Sequence, residues 1–222
     1  MRVRSLLNKT RQVGSEMGHW GAPPAPVGVV EYFSNRASDY QAKSTRFPWA
    51  WVRAREVTAV LSLLGDIAGI EILELGAGSG YHTRELIRCG ARHVWAVDIS
   101  EAMLAALPKG PIAPMLGDAE TIWLEKRFPV LLSTGMLEFV RDPAAALANA
   151  ARHAEADARF VILVPQANVF GFLYRRFHRT HGIGIHLFDR TWFETTAPRL
   201  GWQVHAVARI LPFSLAIRLH RV

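Results

Sequence analysis

Residues 72–81 read I-L-E-L-G-A-G-S-G-Y: an apolar strand running into a glycine-rich turn, with a helix expected over 83–89. Glycines at 76, 78 and 80 let the backbone bend sharply and approach a bound nucleotide with no Cβ in the way. A second apolar run, 93–97, ends in Asp98, 18 residues after Gly80. A carboxylate at the tip of a second strand is placed to accept hydrogen bonds from ribose hydroxyls. A strand-end Asp can instead cap the next helix, but Ser100 suits that role better and leaves Asp98 for a ligand.

The spacing of the glycines then separates two kinds of nucleotide site. Dinucleotide-binding domains use G-x-G-x-x-G, whose third glycine permits close helix packing beside a pyrophosphate. Here that glycine comes one residue early, and bulky Tyr81 fills the dinucleotide position. Glu74, two places before the first glycine, would repel a pyrophosphate and suits a ligand carrying an ammonium and a sulfonium. E-x-G-x-G-x-G followed by an acid ending strand two resembles the class I S-adenosylmethionine-dependent methyltransferases. Gly117-Asp118-Ala119 after the apolar run 112–116 matches that family's third strand and adenine loop. A fourth strand, 128–134, leads into Gly135-Met136-Leu137-Glu138-Phe139-Val140 and Asp142-Pro143. This is similar to the L-E-H-V…D-P segment of the small-molecule subgroup (type 11) that includes ubiquinone- and menaquinone-biosynthesis enzymes, with Phe139 standing where those have histidine. Upstream, residues 32–40 resemble the Y-F-x-x-R-A-x-x-Y helix that closes over the cofactor there. The likeness runs over residues 31–165 and beyond them rests on element order.

The resemblance implies S-adenosyl-L-methionine as cofactor and a role for each matched position. Gly76, Ala77, Gly78 and Gly80 would line its methionine part, and Glu74 would orient the amino group. Asp98 would take the ribose diol. Ile99 and Met103 would sandwich the adenine, although apolar residues there could equally be core. Asp118 would accept from the exocyclic amine while the Ala119 N–H donates to the ring. The Thr134 and Gly135 backbone would face the ammonium, and Tyr40 and Arg36 would reach in from the lid helix. The methyl group arrives already activated, so the protein mainly aligns a nucleophile and excludes water. A base is needed only for an acceptor protonated near neutral pH, and His178, His181 and His186 lie in the segment expected to cap the substrate. His186 is the first choice, because Ile183, Ile185, Leu187 and Phe188 around it imply a partly buried, neutral imidazole. His181 is the second, with a solvated surface histidine as the plain alternative for either. Zinc binding by the three is disfavoured, because an arginine-rich loop opposes a cation; no metal is expected.

These residues need elements to hold them. At 222 residues, half of them hydrophobic, the chain has enough for one sizeable core. Strands near 70–75, 93–98, 112–116, 128–134 and 159–164 alternate with helical stretches, including 49–64 and 143–154. Two closing strands, 202–210 and 213–219, follow. This predicts an α/β, Rossmann-like, doubly wound, seven-stranded sheet, mostly parallel with the last strand antiparallel, and helices on both faces. Residues 1–28, ending in the stiff G-A-P-P-A-P stretch, read as an arm or linker. Residues 29–222 read as one methyltransferase domain, with lid helices over 29–64 and a substrate-capping insertion over 166–188. The single Cys89 fits a reducing compartment. No run approaches the ~20 apolar residues of a transmembrane helix and no signal peptide is evident, so a cytoplasmic setting is expected.

A formal charge of +7 biases the partners towards anions. In 166–188, Phe170, Phe172, Tyr174 and Phe177 interleave with Arg175, Arg176, His178 and Arg179. Phe170, Tyr174 and Phe177 are the candidate wall for a small or carrier-bound acceptor, aromatic or anionic. The same composition would serve peripheral contact with a lipid surface, or phosphate contact and base stacking on nucleic acid. Nucleic acid is the weaker reading, because Ser133-Thr134-Gly135-Met136 stands where base-amino methyltransferases carry an N/D-P-P-Y/F motif. The expected function is methyl transfer to a hydroxyl or carboxyl of such an acceptor. The alternatives are an RNA or protein methyltransferase, or a non-catalytic S-adenosylmethionine-binding regulator.

Overall fold

The computed structural model describes residues 49–222, together with Gly28, Glu31 and Tyr32 upstream. The expected arm, Arg36 and Tyr40 lie outside the described residues. The elements are α1 (Trp49–Leu64), β1 (Glu71–Leu75), α2 (Tyr81–Arg88), β2 (His93–Asp98), α3 (Glu101–Ala105), β3 (Ile112–Leu116), β4 (Phe128–Thr134), α4 (Pro143–Arg152), β5 (Ala154–Pro165), α5 (Val169–Arg179), α6 (Arg190–Thr196), a 3₁₀ turn (Ala197–Leu200), β6 (Trp202–Ile210) and β7 (Ser214–Arg221). They form one seven-stranded sheet in the order β3-β2-β1-β4-β5-β7-β6. The first five strands are parallel, and β7 runs antiparallel between β5 and β6.

Strand alternation sends residues to two apolar layers. Leu73, Leu75, Leu131, Phe160 and Ile162 pack on one face with Leu147 and Ala150 of α4 and Phe193 of α6. Ile72, Val94, Val130, Leu132 and Val161 pack on the other with Val60 and Leu64 of α1 and Leu86 of α2. By the same alternation Glu74 falls on the second layer, a carboxylate set among apolar side chains. The chain order reverses between β1 and β4, and in such sheets ligands bind beyond the carboxyl ends of the strands at that reversal.

Local chemistry fixes the element ends. Asp142 accepts from the backbone N–H of Ala144 (2.9 Å) and Ala145 (3.2 Å), and Pro143 opens α4 where a missing N–H is harmless. Ser100 caps α3, as its position suggested, and Asp189 caps α6 by accepting from Trp192 N at 2.8 Å. Two elements differ from the sequence reading. β5 starts at Ala154, five residues early, and takes in an exposed polar stretch with Asp157 at φ 60°. Most of the first half of the capping segment is a helix, α5, started by Asn168, whose side chain accepts from Gly171 N at 2.9 Å.

Candidate functional site

The glycine turn sits where β1 and β4 diverge. The N–H groups of Gly76 and Ala77 donate to the Val97 carbonyl at 2.8 and 3.0 Å, which folds the turn against the end of β2. Gly76 and Gly80 have left-handed backbones, at φ 76° and 81°, and no room for a side chain: a Cβ would strike Met136 in the first case and Pro108 and Leu107 in the second. Gly78 is left-handed too, at φ 54°, but a Cβ there would meet nothing within 4 Å. Gly78 therefore leaves a cradle of empty space over the turn.

Asp98 joins the turn to its own strand. Its carboxylate accepts from Gly78 N at 2.8 Å and from Ser100 N at 2.9 Å. Burial pushes its pKa up, and backbone hydrogen bonds from Ser100, Gly78 and Ile99 work against that shift. So Ser100 caps the helix, and Asp98 is also bound to backbone while still bordering open space.

Two clefts meet at Gly76. The first, open to solvent, lies between Val97, Asp98 and Ile99, the 117–120 loop, and the 136–141 segment, with about 610 Å³ of space in and before it. Its floor includes Asp98, Asp118 and Ala119, with Ile99, Met136 and Phe139 as apolar walls. Glu120 straps the two loops together by accepting from Arg141 N at 3.1 Å and Asp142 N at 2.9 Å. The second, about 480 Å³, lies over the glycine turn and is lined by Arg53, Ala77, Gly78, Ser79, Tyr81, His82, Met103 and Thr134. Ile99 and Met103, paired by the resemblance around one adenine, thus sit in different clefts. Met103 is buried on α3, whereas Ile99 precedes the Ser100 cap and is 40% exposed.

Glu74 is fully enclosed beneath the turn. Its Oε2 accepts from Thr83 Oγ1 at 2.6 Å, and its Oε1 has no hydrogen-bond partner. Burial drives its pKa up to about 8, against the Thr83 bond and with a smaller push from Asp98. With that pKa the carboxyl keeps its proton near neutral pH while the site is empty, and a cationic donor reaching Oε1 would draw it to the accepting carboxylate form. The described residues therefore fit a ligand with an ammonium group, a ribose and a flat base: an open acceptor at Glu74, an empty cradle at Gly78, and Asp98 with Asp118 across the larger cleft.

Several participants carry no motif. Arg53 comes from α1, with its guanidinium over the Tyr81 ring (5.4 Å to the centroid). Burial, and secondarily the Arg53 charge, lowers the His82 pKa to about 3, which keeps this imidazole neutral. Glu138 is buried with Oε2 unpartnered. Burial raises its pKa to about 8, with its own backbone bond and Arg53 opposing and Glu56 adding to the rise. Glu56 accepts a hydrogen bond from Ser214.

The expected substrate residues divide. Tyr174 packs with Leu187 and Tyr32 against the buried cluster of Phe139, Ile183 and Ile185. Phe139 also lines the larger cleft, so this cluster borders it. Phe170 and Phe177 are about half exposed and line neither cleft, because α5 turns only its Gly171–His178 stripe inward. His181 is exposed and donates from Nδ1 to the Phe177 carbonyl at 3.0 Å. His186 is half-buried, with Nε2 3.1 Å from the Val140 carbonyl. A carbonyl only accepts, so Nε2 carries the proton and Nδ1 is the basic nitrogen. His178 is buried, its ring set edge-on against Phe139, Tyr174 and Phe177. Among the described residues, no group of three or more His, Cys, Asp or Glu could hold a metal ion.

Likeness to known proteins agrees with this geometry. A family profile described as a methyltransferase domain matches residues 73–162. A malonyl-[acyl-carrier protein] O-methyltransferase of Bacillus cereus is 27% identical over 140 residues, 59% of this chain and 52% of that protein. A tRNA U34 carboxymethyltransferase of Idiomarina loihiensis is 37% identical over 59 residues, 27% of this chain and 16% of that protein. The chain thus spans about half or less of the length of these curated relatives. The magnesium protoporphyrin IX methyltransferase of Synechocystis, solved with S-adenosylhomocysteine, shares the fold at a TM-score of 0.71 and 16% identity, covering 89% of this chain and all of that one. Sheet order and glycine turn agree with the profile match, which lays a methyltransferase domain over residues 73–162.

Proposed function

We propose that this chain transfers a methyl group from S-adenosylmethionine to a hydroxyl or carboxyl of a small or carrier-bound acceptor. The observation that carries the reading is the Asp98 carboxylate, held at the glycine turn and facing Asp118 and Ala119 across the larger cleft. When bound, the cofactor supplies an activated methyl group.

This chain's own residues supply placement. Asp98 accepts from ribose hydroxyls, Asp118 and the Ala119 N–H mark the base, and Ile99 and Met136 give it apolar walls. Glu74 Oε1 takes a donor from the ammonium end, and Arg53 offers a cation to a carboxylate in the cleft over the turn. Phe139 and Tyr174 exclude water on the acceptor side. For a hydroxyl acceptor, His186 Nδ1 is the group placed to take the proton; a carboxylate acceptor needs no base. The carrier-bound version draws on the malonyl-carrier relative. RNA remains the second reading, supported by the +7 charge and by the short match to the tRNA enzyme.

Calorimetry with S-adenosylmethionine, then transfer of labelled methyl to phenols, malonyl-carrier thioester and bulk tRNA, tests both readings. Absence of cofactor binding sinks the reading as a whole. Stoichiometric methylation of one RNA replaces the small acceptor.

A further inference from the structure

A continuous apolar and cationic surface lies outside both clefts, built from three segments. On α5, Val169 (72% exposed), Phe170, Leu173 (59%) and Phe177 face outward, although a helix of this fold normally turns such residues to the core. Only a narrow stripe of α5 docks: Gly171 and His178 are buried, and a Cβ at Gly171 would run into the Gln166 carbonyl. The helix is therefore pinned close to the sheet with its apolar side chains outward. The β6–β7 turn adds Leu211, 60% exposed, and α1 adds Trp51, 54% exposed. Direct contacts join the three segments. Asn168 Nδ2 donates to the Pro212 carbonyl at 2.9 Å, and the Phe170 and Phe213 rings meet at 5.5 Å. Arg55 donates to the Leu211 carbonyl at 3.1 Å and stacks over Trp51 at 4.7 Å.

Among the described residues of these three segments the exposed charges are all positive. Arg55, Arg176, Arg179 and Arg209 are exposed among the apolar residues, and segments 49–55, 169–181 and 209–213 contain no acidic residue. A spread of exposed Trp, Phe, Leu and Val with interleaved arginines, on three separate elements, matches an extended anionic plane better than a ligand held at one point. Among the described residues no helix is long and apolar enough to cross a membrane, so contact would be from one side. We infer that this face docks on an anionic lipid surface, with Trp51, Val169, Phe170 and Leu173 entering the interface and the arginines meeting lipid phosphates.

Vesicle sedimentation tests this without cofactor or acceptor, so it stands or falls apart from the methyl-transfer reading. The full chain should pellet with vesicles of 70% phosphatidylcholine and 30% phosphatidylglycerol, and far less with phosphatidylcholine alone. Arg176→Gln/Arg179→Gln should lower the partition constant about 25-fold, at roughly fivefold per arginine near the surface. Val169→Ser/Leu173→Ser should lower it roughly tenfold or more. Arg152→Gln/Arg199→Gln removes the same charge from exposed sites elsewhere and should change little. Four results overturn the inference: equal binding to neutral and anionic vesicles; an equal loss in the distant double variant; no vesicle binding together with dimerisation in light scattering that Val169→Ser/Leu173→Ser abolishes; or no vesicle binding together with calorimetric binding of an acidic carrier protein.

Discussion

Replacing Asp98 with alanine should damage the fold and the ligand site by separable amounts. In the folded chain its carboxylate accepts from Gly78 N and Ser100 N, at 2.8 and 2.9 Å. The site is only partly buried, so water can reach the two orphaned N–H groups, and a net loss of about 1 kcal/mol for each is expected. For a domain of this size about 2 kcal/mol lowers Tm by roughly 4–8 °C, which leaves a folded protein to assay. Ligand loss comes on top. Removing charge-assisted bonds to a ribose diol costs about 1.5–3 kcal/mol, ten- to a hundredfold in Kd for S-adenosylmethionine. Asp98→Asn separates the terms further. Its amide keeps one acceptor oxygen but turns an NH₂ towards the other backbone donor, so most of the stability loss should persist while the shape is kept. Burial raises the Asp98 pKa, so cofactor affinity should rise with pH as the carboxyl ionises. Thermal unfolding by circular dichroism and titration calorimetry read both quantities. A folded Asp98→Ala protein that binds cofactor like wild type refutes the ribose assignment. An unchanged Tm refutes the role given to the Gly78 and Ser100 bonds.

Gly78→Ala and Gly80→Ala should part company: a methyl at 78 enters open space in the cleft and weakens cofactor binding, at about 1–2 kcal/mol of backbone strain, whereas one at 80 strikes Pro108 and Leu107 and chiefly lowers Tm. Glu74 and Glu138, with pKa values near 8 against 4.5 unfolded, keep a proton that the unfolded chain has shed. Stability should therefore fall as pH rises from about 4.5 to 8, by up to about 1.4 kcal/mol per pH unit for each group, and urea titrations on Glu138→Gln should show a shallower fall. His82, with a pKa near 3, works in the opposite direction: below about pH 6.5 the unfolded chain gains a proton the folded one refuses, so stability drops on acidification and His82→Gln should lessen that drop. His186→Gln should lower kcat roughly 10²–10⁴-fold for a hydroxyl acceptor and leave transfer to a carboxylate nearly unchanged; equal losses on both would make it a positioning residue.

Elements with a simple period could be read directly from the sequence. The strands 112–116, 128–134 and 202–210 and the helix 49–64 coincide with observed boundaries because each is a single apolar pattern ended by Gly, Pro or a polar cap. β5 was visible only over its apolar half. Its first residues, A-E-A-D-A, expose Glu155, Ala156 and a left-handed Asp157, so pairing beyond the 128–130 irregularity, and not composition, makes them strand. α5 was hidden for a related reason. Its apolar residues point outward, so they break the period that marks a helix packed on a core, and only Asn168 as an N-cap signals its start.

The same distinction explains which half of the site was visible. Glu74, the glycines, Asp98 and Asp118 sit at strand ends and turns, where local backbone geometry demands particular residue types, so they recur as short motifs. Arg53, His82 and Glu138 reach the site through tertiary packing, from the first turns of α1, the second residue of α2 and a loop after β4, and no local pattern announces them. The acceptor wall is more dispersed still. Phe139, Tyr174, Ile183, Ile185 and Leu187 meet only because α5 folds back over the loop after β4. Where the resembled family has a histidine this chain has Phe139, and the edge of the His178 ring lies 5.5 Å from it, centroid to centroid. An imidazole is thus still found beside that wall, but it comes from α5 and is enclosed by Phe139, Tyr174 and Phe177. A buried, ring-packed imidazole is held in one orientation, whereas the half-buried His186 reaches the carbonyl of Val140, a residue of the larger cleft, with a fixed tautomer. On the proposed reading, that difference gives His178 the shaping of the wall and His186 the proton.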